Sequence, residues 1–198
     1  MLQSTQRAVQ SAITPESGVK DNDKVNGLAT KLLETCAEYG QVGSKLTEDQ
    51  RSIIDDMALS LSSYTDPDPA QIDLEGTHEL IYSASPGGSS GAVGPLVGKV
   101  YQSFLDEERF INRVELFGGV VKVELYAERK VLDESRIRVK FKQTVISLFG
   151  NEVKRIEAKG AGVWNYLFSG SVNVAGESMT LRIMKTPSTF VIIQKQQR

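Results

Sequence analysis

The chain has 198 residues, 40% hydrophobic and 24% charged, with a formal net charge of −2 and an isoelectric point near 5.6. That balance suits a globular protein able to bury a sizeable core, and it excludes a polyanion binder such as a nucleic-acid protein that relies on net positive charge. The single cysteine, Cys36, excludes an intramolecular disulfide framework. No apolar run approaches the roughly 20 residues needed to cross a bilayer as a helix.

Residues 1–22 show no periodicity and read as a flexible terminus. The first 14 residues carry Ser, Thr, Gln and one Arg but no acid. A transit-peptide remnant and an unstructured tail share that composition. Residues 23–66 read as a helical hairpin. Val25, Leu28, Ala29, Leu32, Cys36 and Tyr39 recur at helical spacing, and Gly40 is a natural stop. Thr47 and Gln50 sit three apart, as a capping box requires, and Ile53, Ile54, Met57, Ala58 and Leu61 form the stripe that follows. Each stripe needs a surface: the sheet described next, or another protein. Pro67 and Pro69 end the helical region and stiffen the link.

From residue 70 to 198 the period falls to 2. Ile137, Val139 and Phe141 alternate with Arg136, Arg138, Lys140 and Lys142, and Val121, Val123 and Leu125 alternate with Lys122, Glu124 and Tyr126. Eight or nine strands are expected, at about 76–84, 97–105, 109–117, 119–131, 135–148, 151–158, 162–174, 178–185 and 189–195. Their short separators, such as Gly118-Gly119 and Gly150-Asn151, make neighbours antiparallel. The expected fold is mainly β: a barrel of eight or nine antiparallel strands behind an α-helical hairpin. Closure removes exposed edges, and a barrel of this size holds its own side chains or one small ligand. A two-layer sandwich remains the alternative.

Few residues offer chemistry. His78 is the only histidine and Cys36 the only cysteine, so a His/Cys zinc site is excluded and a His-Asp-Ser triad would have to use His78; a half-buried strand residue is the plainer reading. The glycine-rich run 85–91 lacks a Lys-Ser/Thr ending and reads as a loop packed at the barrel mouth, able to gate a ligand. Nothing in the pattern calls for a cofactor. Trp164, Tyr166 and Phe168 fall on one face of a strand and either fill the barrel or, with Phe141 and Tyr126, wall an apolar cavity. Arg182 faces opposite to Leu181 and Ile183. If it points inward it needs a carboxylate or a ligand head group as partner. Arg136, Arg138, Lys140 and Lys142 form a basic strand face that pairs with neighbouring acids or meets anionic head groups.

Five stretches together resemble the plastid lipid-associated protein (plastid fibrillin) family. They run from Gly76 to Gly88, Gly94 to Gln102, Phe110 to Glu115, Gly160 to Trp164 and Leu181 to Val191. Their order and spacing cover the region 70–198. The chain departs from the family pattern at Ser178, Met179 and Thr180, where many members carry acids before the terminal Leu-Arg-Ile. The resemblance implies a lipocalin-like barrel in a chloroplast, peripheral to the thylakoid membrane or a plastoglobule. It implies binding of a lipid, carotenoid or prenylquinone without catalysis. The alternative is a structural or assembly subunit that docks on a photosystem or light-harvesting antenna through the hairpin and the basic face. An enzyme would have to work with His78, Tyr82 or Arg182.

Overall fold

The computed structural model describes residues 16–195, and side chains from 21 to 191. The composition-based reading of the first 14 residues lies outside the described residues.

The first helix, α1, spans Glu16–Tyr39 and begins ahead of the start near residue 23 that the pattern suggests. The second, α2, spans Glu48–Leu61. Its capping box forms as expected: the Gln50 amide donates to the Thr47 hydroxyl and the Thr47 amide to the Gln50 side chain. The hairpin lies on the sheet. Val25, Ala29, Leu32, Cys36, Ile54, Ala58 and Leu61 are buried in one cluster with sheet residues Tyr82, Phe168, Val172, Leu181 and Ile183. Ile53, expected in the same stripe, stays on the solvent side.

Eleven strands follow: β1 (Thr77–Ser83), β2 (Ala92–Val93), β3 (Leu96–Val97), β4 (Lys99–Phe104), β5 (Arg109–Leu116), β6 (Val121–Val131), β7 (Arg136–Leu148), β8 (Asn151–Glu157), β9 (Ala161–Val174), β10 (Glu177–Lys185) and β11 (Thr189–Lys195). β2 and β3 form a small separate ribbon within the glycine-rich connection. The other nine match the nine expected strands and form one antiparallel sheet. The order is β6-β5-β4-β1-β11-β10-β9-β7-β8, and β6 also pairs with β7, which closes a ring of eight strands. The closure favours the barrel over the sandwich. β8 stands outside the ring: it pairs with the second half of β7, while β9 takes the first half.

Three one-residue bulges decide which side chains enter the ring. Each is an extra residue that moves the next side chain to the other face. In β1, Leu80 aligns with Ile192 and Tyr82 with Val191, so Ile81 is extra. In β7, Phe141 aligns with Ala127 and Gln143 with Tyr126, so Lys142 is extra. In β9, Tyr166 aligns with Met184 and Phe168 with Ile183, so Leu167 is extra. The outcome is two cores. One lies outside the ring, under the helices. The other lies inside and holds Leu80, Val100, Phe110, Val114, Ile137, Val139, Tyr166 and Met184. The link after α2 is more than a spacer. Ala70 is buried among these inner residues, and its amide donates to the Glu134 carbonyl, so the segment packs into one end of the ring.

Candidate functional site

The inner core is filled at that end only. There, Phe104, Phe110 and Tyr166 occupy the interior with Ala70. A row of rings leads away from the filled end: Phe110 lies 6.0 Å from Trp164, and Trp164 lies 5.6 Å from Phe190, centroid to centroid. Toward the other end the inward positions carry smaller side chains, including Val100, Val114, Val123 and Thr144, and a cavity of about 430 Å³ opens between them. That size falls in the range of small-molecule sites, roughly 300–1,000 Å³.

The mouth is built by the glycine-rich connection. Ser85, Gly88, Ser89 and Val93 line it, as the expected loop at the barrel mouth would. Gln41, just past α1, braces the loop by donating to the carbonyls of Ser90 (2.8 Å) and Gly98 (3.2 Å). Gly91 allows this approach. It has φ +86, and a Cβ there would stand 2.5 Å from the Gly98 carbonyl oxygen.

The structure separates the residues singled out above. Trp164 and Phe141 line the cavity. Tyr166 lies below it in the filled end. Phe168, expected on the same face, is turned by the Leu167 bulge into the outer core beneath the helices. Tyr126 aligns with Ile111 and Gln143 on the opposite parity from Leu125, which lines the cavity; Tyr126 therefore faces outward. Arg182 does point inward and is 1% exposed. Its partner is an amide: it donates to the Gln102 side chain at 2.8 Å. Burial, opposed by the neighbouring Tyr166 side chain, lowers its pKa from the ordinary arginine range.

The basic face divides as well. Arg136 pairs with Asp133 and Lys142 with Glu128. Arg138 and Lys140 border a shallow groove with Arg129, Lys130, Glu108 and Glu128.

Of the three residues an enzyme would have to use, His78 and Tyr82 do not line the cavity, and Arg182 reaches it only through the Gln102 side chain. His78 is fully buried, with Nε2 3.0 Å from the Glu75 carbonyl. Burial, and then the charge of Arg182, pushes its pKa down to about 3, so it is neutral. Tyr82 and Cys36 are buried in the outer core, and burial pushes each up to about 12.

Sequence reading missed two features. The first is the small-residue wall of the cavity. Alternation in β6 marked Val123 and Leu125 as a pair, but only closure shows that they face inward. The second is a pair of exposed rings at the mouth end. Val114, Val123 and Ile146 align across β5, β6 and β7, so the turns just beyond them sit at the cavity end. Those turns carry Phe117 and Phe149, 67% and 74% exposed, both with positive φ, and the Phe149 amide donates to the Val120 carbonyl. Phenylalanine in the left-handed region is uncommon. Phe-Gly in both turns was the available signal.

No helix among the described residues is long and apolar enough to cross a membrane. No curated protein and no solved structure matches the chain. The PAP_fibrillin family model matches residues 26–193, which takes in the hairpin, the ring and the glycine-rich mouth. The chain therefore belongs to the plastid lipid-associated (PAP_fibrillin) family, as the order of its sequence blocks suggests.

Proposed function

We infer that this protein binds a small hydrophobic molecule, a lipid, carotenoid or prenylquinone, inside the ring while resting on a lipid surface in the plastid, and that it does no chemistry on its ligand. The observation that carries this reading is the cavity: about 430 Å³, walled mostly by apolar side chains, with a few polar groups at its floor and mouth. Membership in a plastid lipid-associated family supports a thylakoid or plastoglobule setting. The exposed Phe117 and Phe149 lie at the cavity end and offer apolar contact with a membrane surface, so a ligand would pass directly between lipid and cavity. Arg138 and Lys140 lie with Arg129 toward the filled end, away from these rings, so the apolar contact at the mouth would not draw on them. The non-catalytic part is supported by the burial of His78 and Tyr82 away from the cavity lining, and by Arg182 meeting the cavity only through an amide. For docking on a photosystem or antenna, the hairpin offers less than its sequence suggests, because its apolar stripes are covered by the sheet.

Trp164 is the only tryptophan and it lines the cavity. Its fluorescence therefore reports occupancy without a label. Titration with decylubiquinone, a soluble quinone, should quench it saturably with one site per chain. Thr144→Phe, which puts a ring into the cavity, should weaken that binding by about tenfold or more while the protein stays folded, since overpacking costs typically 1–3 kcal/mol. Quenching that never saturates, or that Thr144→Phe leaves unchanged, would overturn the reading.

A further inference from the structure

The filled end of the ring contains two buried guanidinium groups; Arg129 opens on the groove bordered by Glu108 and Glu128, and Arg182 lies deeper, within the ring. Arg182 and Arg129 are 1% and 8% exposed. They stand 5.3 Å and 5.7 Å from the centre of the Phe104 ring, and His78 meets that ring edge-on at 5.3 Å. Neither arginine takes part in an ion pair among the described residues. Arg129 donates through Nε to the Glu107 carbonyl, while its Nη1 and the Arg182 Nε are buried without a partner. His78 is neutral, and the charge of Arg129 acts against that of Arg182. A buried cation with no counter-ion is costly, so a fold that keeps one has use for an anion close by.

The hydrogen bonds point from this cation toward the cavity. Arg182 donates to the Gln102 Oε1 atom, and Gln102 Nε2 donates to Asn112 Oδ1 at 3.1 Å. Each amide accepts on the arginine side and donates away from it. The chain therefore ends on the Asn112 amide N–H groups, and both Gln102 and Asn112 line the cavity. The cavity floor is a donor backed by a buried positive charge, while the walls above it are Val100, Val114, Phe141, Trp164 and Phe190. A ligand that satisfies both has an acceptor head and an apolar tail, and the uncompensated charge favours an ionised head over a neutral one.

We propose that the cavity is a site for a long-chain carboxylate held head down, with its acid group at Asn112 and Gln102, Arg182 as its buried counter-charge, and its tail running past Trp164 toward the mouth. This deepens the hydrophobic-ligand reading and rests on it.

The test is displacement of the neutral dye N-phenylnaphthylamine from the full chain by dodecanoate, dodecanol and methyl dodecanoate. Dodecanoate should bind at least about tenfold more tightly than either neutral analogue, the scale of a hydrogen bond to a charged group. Gln102→Leu, which leaves Arg182 in place but cuts the relay, should reduce that preference to less than about threefold. Arg182→Met should do the same; if it does not fold, Gln102→Leu and the acid-to-alcohol ratio of the parent decide the matter. Equal binding of acid and alcohol by the parent overturns the head-group assignment while the cavity reading stands. No displacement by any of the three overturns both. Inorganic phosphate that raises the melting temperature and abolishes the preference for dodecanoate would show a free anion at the site, and would also overturn the proposal.

Discussion

The two halves of the ring share the same eight strands and the same pairing, yet one is packed and the other is hollow. In the packed half, large side chains from facing strands meet: Phe104, Phe110, Tyr166 and Arg182, with Ala70 inserted from the link after the hairpin. In the hollow half, the equivalent inward positions carry Val100, Val114, Val123 and Thr144. The backbone is not what separates them. A ring of about eight strands is just wide enough for side chains to fill, so one step in side-chain volume at a few positions decides between a core and a binding site. The same difference separates the roles: the packed half holds the fold together and stores the buried charge, and the hollow half is where the proposed ligand would sit.

The comparison can be broken most directly by truncating one residue from each half. Phe110→Ala should cost about 3–5 kcal/mol, because the cavity it leaves is enclosed by packed neighbours. Val123→Ala should cost only about 1 kcal/mol, since its side chain already faces open space. Urea denaturation of the two variants gives both numbers. Similar losses would mean that the hollow half is filled in solution.

Acid should act on the packed half through His78. Unfolded, the imidazole takes up a proton near pH 6.5; folded, burial and Arg182 hold it neutral down to about 3. The unfolded chain therefore binds more protons between these values. The contribution is fully present above about pH 6.5 and is lost as pH falls toward 3, with a slope approaching about 1.4 kcal/mol per pH unit. In His78→Leu the slope should fall to whatever the carboxylates contribute. Stability curves of the two proteins that run parallel between pH 6 and 4 would show that His78 is not held neutral.

Two further substitutions sharpen the contrast at the mouth and at the hairpin. Gly91→Ala forces a side chain into a positive-φ position against the Gly98 carbonyl and should cost about 1–3 kcal/mol. It should also speed ligand release, measured by stopped-flow recovery of Trp164 fluorescence, because Gln41 no longer braces the loop. Thr47→Ala removes the α2 cap and should cost about 1 kcal/mol, with no change in ligand affinity. A change in affinity in that variant would tie the hairpin to the cavity.

Local pattern carried far in this chain. The nine long strands lie within a few residues of where the alternation places them, and the capping box and, apart from Ile53, the helical stripes form as spacing implies. All of these depend on a residue and its near neighbours, so they can be read one segment at a time. The site residues were less legible. Trp164 and Phe141 line the cavity, but Phe168 and Tyr126, chosen by the same rule, do not.

What the sequence by itself determined is that each strand has two faces, that one helix pair needs cover, and that there is too little nucleophilic or metal-binding chemistry to suggest catalysis. Only the tertiary structure decided which face is inside. Extra residues at Ile81, Lys142 and Leu167 switch the inward parity in mid-strand, and in β1 and β9 they leave no trace in the hydrophobic pattern because those strands have apolar cores on both sides. Whether the interior is full or hollow is likewise a sum over eight strands, and no single strand contains it. The buried charge at Arg182 shows the limit: Leu181 and Ile183 fix only that it faces opposite to them, and both its inward direction and the amides from β4 and β5 that carry its field to the cavity floor come from closure of the ring.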